Sequence, residues 1–368
     1  MTAKKTILYV CTEDWYFENH RSAHAEELIR NNFSVHVLCR AETDATARLR
    51  SHGVVVHHGD IARGSSPSSL IQEALKVRRT IRSVDPDVVH CIALKPSVIG
   101  ALLVPTTRSR FILAVAGLGL SSVEGSFAAM SAVRLIRTAS LSSRVRILFQ
   151  NRNDQQVVSP YKGRSLLIES VGVDMKRFEV VPPPHVGAGP VIFTYLGRPV
   201  RSKGLQTLID LDLEELPFEP LFRLYLSDDP TSPGVLTQQE ITELGALSHV
   251  DVLPPTNNPQ DAIADSHFGF LPSLAGEGVS KFSIETLACG RPLLTTATPG
   301  NDAVVSDGEN GVLFAPGSAN ELRLALERCS EMLPKFDDIA IESRQRAEAK
   351  FSLDVILPEI LALHQELV

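Results

Sequence analysis

The 368 residues are 43% hydrophobic and 21% charged, with 36 Lys and Arg against 43 Asp and Glu and a formal net charge of −7. That balance excludes a disordered or collagen-like chain, and the length suits two cores better than one. No apolar run reaches the ~18 residues of a membrane-spanning helix; the longest, 98–105 and 111–120, fall short. The charge is uneven: residues 1–180 hold 24 basic and 16 acidic side chains, and residues 181–368 hold 12 and 27. A basic half joined to an acidic half suggests different partners for each, with an anionic acceptor or membrane surface for the first. Nucleic acid is not expected, because no recognised motif is present and only 6% of residues are aromatic. The start, Met-Thr-Ala-Lys-Lys, leads straight into a strand with no signal-peptide apolar region. The five cysteines, at 11, 39, 91, 289 and 329, read as buried free thiols in a reducing cytosol, without metal-ligand spacing. The expected location is therefore cytoplasmic, with the basic half against the inner face of a membrane, through Arg134, Arg137, Arg144 and Arg146.

In chain order, strands are predicted at 6–11, 35–39, 53–57, 88–91, 111–115, 147–149 and 166–168. Helices are predicted at 22–31, 68–84, 96–103, 128–142 and 153–158. Strand and helix alternate at the spacing of parallel βαβ units, which gives a doubly wound sheet with helices on both faces. Residues 181–190, with three consecutive prolines and two glycines, read as a linker. The alternation then resumes, with strands at 191–196, 222–226, 250–253, 268–271, 293–295 and 312–314. Helices follow from 205 and at 237–247, 259–265, 280–289, 302–306, 319–332, 339–350 and 353–367. The fold class is α/β with two Rossmann-like domains, 1–183 and 190–350.

Ligands of such sheets bind in the loops after the strands' carboxyl ends. After the first strand come Asp14, Trp15, His20 and Arg21; after the fourth, Lys95; after the fifth, Gly117 and Gly119. His20, Arg21 and Lys95 are cations suited to a diphosphate. His20 and His24 are one turn apart, but no third metal ligand is evident nearby. Gly117-x-Gly119 lacks the third glycine of a dinucleotide fingerprint and follows the wrong strand.

The second half carries the most informative stretch. An apolar strand runs into Gly276-Glu277-Gly278-Val279-Ser280-Lys281-Phe282-Ser283-Ile284-Glu285, and a helix is predicted to open at Ser280. The glycines let backbone approach a ligand, and the open N–H groups of a helix start favour phosphate. Carboxylates are poor neighbours for phosphate but good acceptors for sugar hydroxyls, so Glu277 and Glu285 suggest a nucleotide-sugar. Arg198 and Lys203 follow another strand end, between Gly197 and Gly204, in a half that is otherwise strongly acidic. Asp210-Leu211-Asp212 reads as the solvated end of a helix and Asp228-Asp229 as a turn before Pro230, so neither is taken as a metal site.

The pair Glu277 and Glu285, followed by Leu287-Ala288-Cys289-Gly290-Arg291-Pro292 and Asp307-Gly308-Glu309-Asn310-Gly311, resembles the donor site of retaining family-4 glycosyltransferases of GT-B fold. Gly197-Arg198 with Lys203-Gly204 is similar to that family's diphosphate clamp. Asp14-Trp15-x-Phe17-x-x-His20-Arg21, His90-x-x-x-Leu94-Lys95-Pro96 and Gly117-Leu118-Gly119 resemble a subgroup that elongates polyprenyl-diphosphate-linked glycans of surface polysaccharides. Phe149-Gln150-Asn151-x-x-Asp154 and Gly172-Val173-Asp174-x-x-Arg177-Phe178 fit the same subgroup. The resemblance implies two domains facing across a cleft, with a last helix, 351–368, returning to the first. It implies transfer of a hexosyl or N-acetylhexosaminyl group from a nucleoside-diphosphate sugar, UDP-linked, to an acceptor hydroxyl, with retention and no metal or other cofactor. Arg198, Lys203 and Glu277 would be catalytic. Glu285, Gly278, Val279, Ser280, Lys281 and Phe282 would bind the donor. Asp14, His20, Arg21, Lys95 and Gly117 would form the acceptor side. The chain departs from the family at Ala116-Gly117, where many relatives have a His, and at Gly276, often basic. A nucleotide-sugar epimerase of the same architecture and a non-catalytic nucleotide-sugar-binding relative are the alternatives.

Overall fold

The structure is a computed structural model that describes residues 4–41, 43–61, 67–118, 127–185, 187, 189–227, 234–276 and 278–368, the side chains at 67 and 68 excepted. The chain divides into two compact units, residues 1–171 with 354–368, and residues 172–353.

The first unit runs β1 (Lys5–Glu13), α1 (Asp14–Arg30), β2 (Phe33–Arg40), α2 (Ala45–Ser51), β3 (Val55–His58), α3 (Pro67–Val84), β4 (Val88–Ile92) and α4 (Leu94–Leu103). It continues with β5 (Arg110–Val115), α5 (Phe127–Ala139), β6 (Val145–Phe149), α6 (Arg152–Val158) and β7 (Ser165–Leu167). These strands form one parallel sheet in the order β3-β2-β1-β4-β5-β6-β7. Side chains alternate across it, as strand geometry requires. Ile7, Tyr9 and Cys11 face Phe17, Ala25 and Leu28 of α1 and Ile356, Ile360 and Leu363 of the C-terminal helix (Leu353–Glu366). Leu8 and Val10 face Val77 and Ile81 of α3 and Ile99 of α4.

One element departs from expectation. Residues 14–21, expected as a loop, are the first turns of α1, which begins at Asp14 rather than at residue 22. The inward positions there are Phe17, Arg21, His24 and Ala25, all buried. Two polar residues on the core face hide the apolar 3.6-residue period that marks a helix in sequence.

The second unit contains β8 (Val191–Gly197), β9 (Pro220–Leu226), α7 (Gln238–Gly245), β10 (Val250–Leu253), α8 (Pro259–Ala264) and β11 (Phe268–Leu271). It ends with α9 (Lys281–Ala288), β12 (Leu293–Thr296), α10 (Asn301–Val304), β13 (Gly311–Phe314), α11 (Ala319–Met332) and α12 (Phe336–Lys350). Its strands order β10-β9-β8-β11-β12-β13, all parallel. The Phe193 ring lies 5.1 Å from those of Phe222 and Phe268, and the rings of Phe222 and Phe270 lie 4.8 Å apart. The helix expected from residue 205 is instead two 3-10 turns, Arg201–Lys203 and Leu205–Leu208, split by Gly204 at φ +72°.

The division between units lies at 171/172, and the proline run at 182–184 falls inside the second unit. Two guanidinium groups, Arg291 buried and Arg344 half-buried, explain why. Arg344 donates to the carbonyls of Phe178, Ala288 and Met175, and Arg291 to those of Val181, Pro182, Ser266, Ala264 and Cys289. Residues 175–182 are thereby fastened to the second unit before its sheet begins.

Candidate functional site

Each sheet has one topological switch point, where consecutive strands depart to opposite sides and leave a crevice at their carboxyl ends. In the second unit it falls between β8 and β11. The loops that leave those strands carry Arg198–Gly204 and residues 272–280.

Backbone contacts tie these two loops together. The Leu274 N–H donates to the Ser202 carbonyl at 2.8 Å. A Cβ on Gly204 would lie 2.0 Å from the Pro272 carbonyl oxygen, so only glycine fits there. The Tyr195 hydroxyl donates to the Arg198 carbonyl at 2.8 Å, and its ring lies 6.3 Å from that of Phe282 on α9. Gly276 packs against Pro299, in the loop after β12. Arg198 and Lys203, both partly exposed, and the glycine loop leading to α9 therefore occupy one end of the sheet.

Helix α9 opens with Ser280 in extended geometry, and no side-chain hydrogen bond caps it. The first N–H groups of a helix lack intrahelical partners and carry its positive dipole end. Gly278, Val279 and Phe282 are buried around this start, with Ser280 and Lys281 half-buried. One turn inward, the side chain of Glu285 is 9% exposed, and the Lys281 ammonium lies 3.4 Å from its carboxylate. Burial pushes the Glu285 carboxyl above its ordinary range, against the fields of Lys281 and Arg177. Glu277 lies outside the described residues. Arg177, which the sequence marks only as part of a motif, is an exposed cation whose charge reaches Glu285.

The first unit has its switch point between β1 and β4. Asp14 starts α1 there, fully buried, and accepts from the Trp15 and Thr43 N–H groups and the Thr46 hydroxyl at 2.7–2.9 Å. Burial opposes its charge, but these hydrogen bonds outweigh it and hold the carboxyl below the usual range. Asp14 thus fastens the β2–α2 loop to α1. His20 is half-buried, its ring 4.5 Å from that of Tyr16. Arg21, expected as a loop cation, is 3% exposed beneath α1. Its Nε has no hydrogen-bond partner among the described residues, and burial lowers its pKa. The Lys95 ammonium sits 2.7 Å and 2.9 Å from the two oxygens of the buried Glu73 carboxylate. Its charge is already balanced within the unit, which the spacing of a lone lysine could not reveal.

Gly117 adopts φ +102°, and the next N–H, Leu118, donates to Asp154 at 3.0 Å. Asp154 also accepts from Asn151, whose side chain caps α6. Burial raises the Asp154 carboxyl, with those hydrogen bonds opposing it. Gly119 lies outside the described residues, as do Asp228 and Asp229. At the end of β4, Ala93 sits at φ +76° and ψ 170°, a region reserved for glycine. Strain of this kind clusters at ligand sites, and an alanine in a sequence gives no sign of it. Among the described residues, no three His, Cys, Asp or Glu side chains come together as metal ligands, and no helix is long and apolar enough to cross a membrane.

The chain resembles known proteins along most of its length. The Anabaena protein HepE, solved in complex with UDP and glucose, is 19% identical with a TM-score of 0.77, covering 98% of this chain and 100% of that one. Sucrose-phosphate synthase from Thermosynechococcus elongatus is 16% identical with a TM-score of 0.80, covering 99% of each chain. An exopolysaccharide phosphotransferase of Streptomyces coelicolor is 27% identical over 175 residues, a stretch that spans 46% of this chain but only 18% of that protein. Residues 6–151 match the family described as glycosyl transferase 4-like, and residues 190–331 match glycosyl transferases group 1. The chain therefore carries a glycosyl transferase 4-like domain followed by a glycosyl transferases group 1 domain, each a parallel Rossmann-like α/β sheet, the pair of folds that makes up a GT-B glycosyltransferase.

Proposed function

We propose that this protein transfers a hexosyl or N-acetylhexosaminyl group from a UDP-linked sugar to a hydroxyl of a lipid-linked glycan, retaining the anomeric configuration and using no divalent metal. The observation that carries this reading is the second unit's switch point. There the Arg198–Gly204 loop is hydrogen-bonded to the loop that leads into the uncapped start of α9, with Glu285 buried one turn inside. HepE, solved with UDP and with UDP-glucose, shares this fold.

In this reading the donor diphosphate lies over the N–H groups around Val279–Lys281, within reach of Arg198 and Lys203. Charge grows on that diphosphate as the glycosidic bond breaks. Fixed cations and N–H dipoles aimed at it stabilise the transition state without reorganising, and one such donor is worth about 3 kcal/mol. Glu285 accepts hydrogen bonds from the ribose hydroxyls, and Glu277 orients the hydroxyls of the transferred sugar. The polyprenyl-diphosphate acceptor would enter at the first unit's switch point, near His20 and Gly117. The protein would then work as a peripheral enzyme on the cytoplasmic side, where its nucleotide-sugar is available.

The test is UDP release from a panel of UDP-sugars with a lipid-diphosphate acceptor, in chelator. Arg198→Ala and Lys203→Ala should each lower kcat at least ~100-fold. The product should be an α-glycoside by the anomeric coupling constant. Unchanged turnover in both variants, or conversion of the donor without acceptor, would overturn the proposal.

A further inference from the structure

Helix α5 carries an outward stripe that the core does not use. Its inward side holds the buried Ile136, with Ala129, Val133, Leu135 and Ala139 packed partly against the sheet's second face. On the opposite side stand Phe127, Met130, Arg134 and Arg137, each three or four residues from the next and so in one row. Phe127 is 84% exposed and Met130 56% exposed. Neither Arg134 nor Arg137 has a side-chain hydrogen bond or ion pair among the described residues, and both are exposed. Residues 125–153 contain five arginines and no Asp or Glu. The remaining arginines are engaged elsewhere. Arg144 donates to the carbonyls of Val104, Thr107 and Ser109, Arg146 pairs with Glu366, and Arg152 lies 3.9 Å from Glu169.

We propose that α5 docks the protein on an anionic lipid bilayer, lying along its surface with Phe127 and Met130 in the headgroup–acyl boundary and Arg134 and Arg137 on lipid phosphates. The row has the composition of an interfacial helix, apolar at one end, cationic at the other and free of carboxylates. Arginine suits the place because its stem can lie in apolar surroundings while its guanidinium meets a phosphate. A protein partner fits less well. A stable protein interface buries roughly 1,200 Å² or more, and this stripe is one helix wide. A bilayer needs only shallow insertion of a few side chains, supported by charge. The inference deepens the lipid-linked acceptor reading by naming a surface for its membrane, but it is tested without donor or turnover.

The full chain would be floated with vesicles of phosphatidylcholine, with and without phosphatidylglycerol. Binding is expected only to the anionic vesicles and should weaken as salt rises. The double variant Arg134→Gln with Arg137→Gln should bind about 25-fold more weakly, about fivefold per charge. Phe127→Ser with Met130→Ser should bind about tenfold more weakly. The substituted side chains lie outside the core, so the thermal midpoint should not move. All five native cysteines are buried, so Met130→Cys can be labelled selectively with a polarity-sensitive dye, whose emission should shift to the blue on anionic vesicles. Absent vesicle binding, binding unchanged in both double variants, or a bound protein whose dye stays in water would overturn the proposal. So would a self-associated chain that the same variants dissociate. Loss of UDP binding with vesicle binding intact would count against the donor site alone.

Discussion

Lys281 and Glu285 face each other one turn apart on α9, the ammonium 3.4 Å from the carboxylate, and burial still leaves the acid with a raised pKa. A carboxyl raised in the folded state contributes nothing adverse below its unfolded pKa, where both states are protonated. It costs stability once pH rises through that range and the buried group ionises. Glu285→Gln is therefore expected to raise the thermal midpoint of the unliganded protein at about pH 7.5, by about 2–4 °C for each kcal/mol recovered. The gain should vanish near pH 4, below the unfolded carboxylate's ~4.3. The same change should weaken UDP at least ~10-fold, since a charged hydrogen-bond acceptor is lost. Thermal shifts with and without UDP at both pH values read both effects. A lowered midpoint at neutral pH would show that the carboxylate stabilises the empty fold.

Ala93 holds a backbone conformation that costs an alanine about 1–3 kcal/mol. Ala93→Gly should relieve it and raise the first unit's stability by about 1 kcal/mol, partly offset by the extra freedom of glycine in the unfolded chain. Should the strain hold Lys95 and the start of α4 in place for an acceptor, the stabilised variant will show a higher KM for acceptor and an unchanged KM for donor. Chemical denaturation and initial rates separate the two. A destabilised variant would mean that the surroundings of Ala93 depend on its methyl group.

Most of this architecture is legible in the sequence because its strands are short apolar runs separated by amphipathic helices. The loops at the second unit's switch point are legible for a different reason. Gly197, Gly204, Gly276 and Gly278 bracket charges that have no place in a packed turn, and Gly204 does sit where a side chain would collide. The first unit's switch point is less legible. Arg21 and His24 occupy core positions of α1, so the helix start disappears into an expected loop. Lys95 reads as a phosphate ligand until Glu73, 22 residues earlier, is seen to enclose it. The boundary between units was hidden as well. Prolines mark where a chain stiffens, whereas Arg291 and Arg344 decide which body it travels with, through carbonyl contacts that leave no spacing to recognise.

The Lys95–Glu73 pair is more than nine-tenths buried on the acid side and 15% exposed on the lysine side. Removing one partner of such a pair strands the other charge out of water, at about 3–5 kcal/mol. Lys95→Met should therefore lower the thermal midpoint by roughly 6–20 °C, at 2–4 °C per kcal/mol. Lys95→Met combined with Glu73→Leu should recover most of that loss, because no charge is then left buried. If the recovered double variant also keeps its KM for acceptor, the lysine is an internal counterion. If it folds well but no longer saturates with acceptor, Lys95 meets the acceptor diphosphate as well.

Three histidines lie buried beneath α1 and the C-terminal helix. The ring nitrogens of His90 and His364 are 3.2 Å apart, and His364 Nδ1 donates to the Ile360 carbonyl. That bond leaves His364 Nε2 as acceptor and makes His90 Nδ1 the donor, so both rings are neutral. His24 donates to the Val171 carbonyl at 2.8 Å. The groups facing them are Tyr9 of β1, its ring 4.8 Å from His90, and Arg21 of α1, whose charge opposes protonation of His24 and His90. Burial is the largest cause in each case. It pushes His24 down to about 3, His364 to about 4 and His90 well below its ordinary value. Lowered folded values mean that the unfolded chain takes up these protons first. The stability they contribute is present above ~6.5 and is lost as pH falls from there towards 4, at about 1.4 kcal/mol per histidine per pH unit. Urea midpoints followed by circular dichroism between about pH 7 and 4.5 should show that decline. His364→Phe keeps a ring in the site and removes one of the three protons, so the histidine-dependent part of the slope should fall by about a third. An unaltered slope would mean that the ring of His364 is already protonated, or reached by water, in the folded protein.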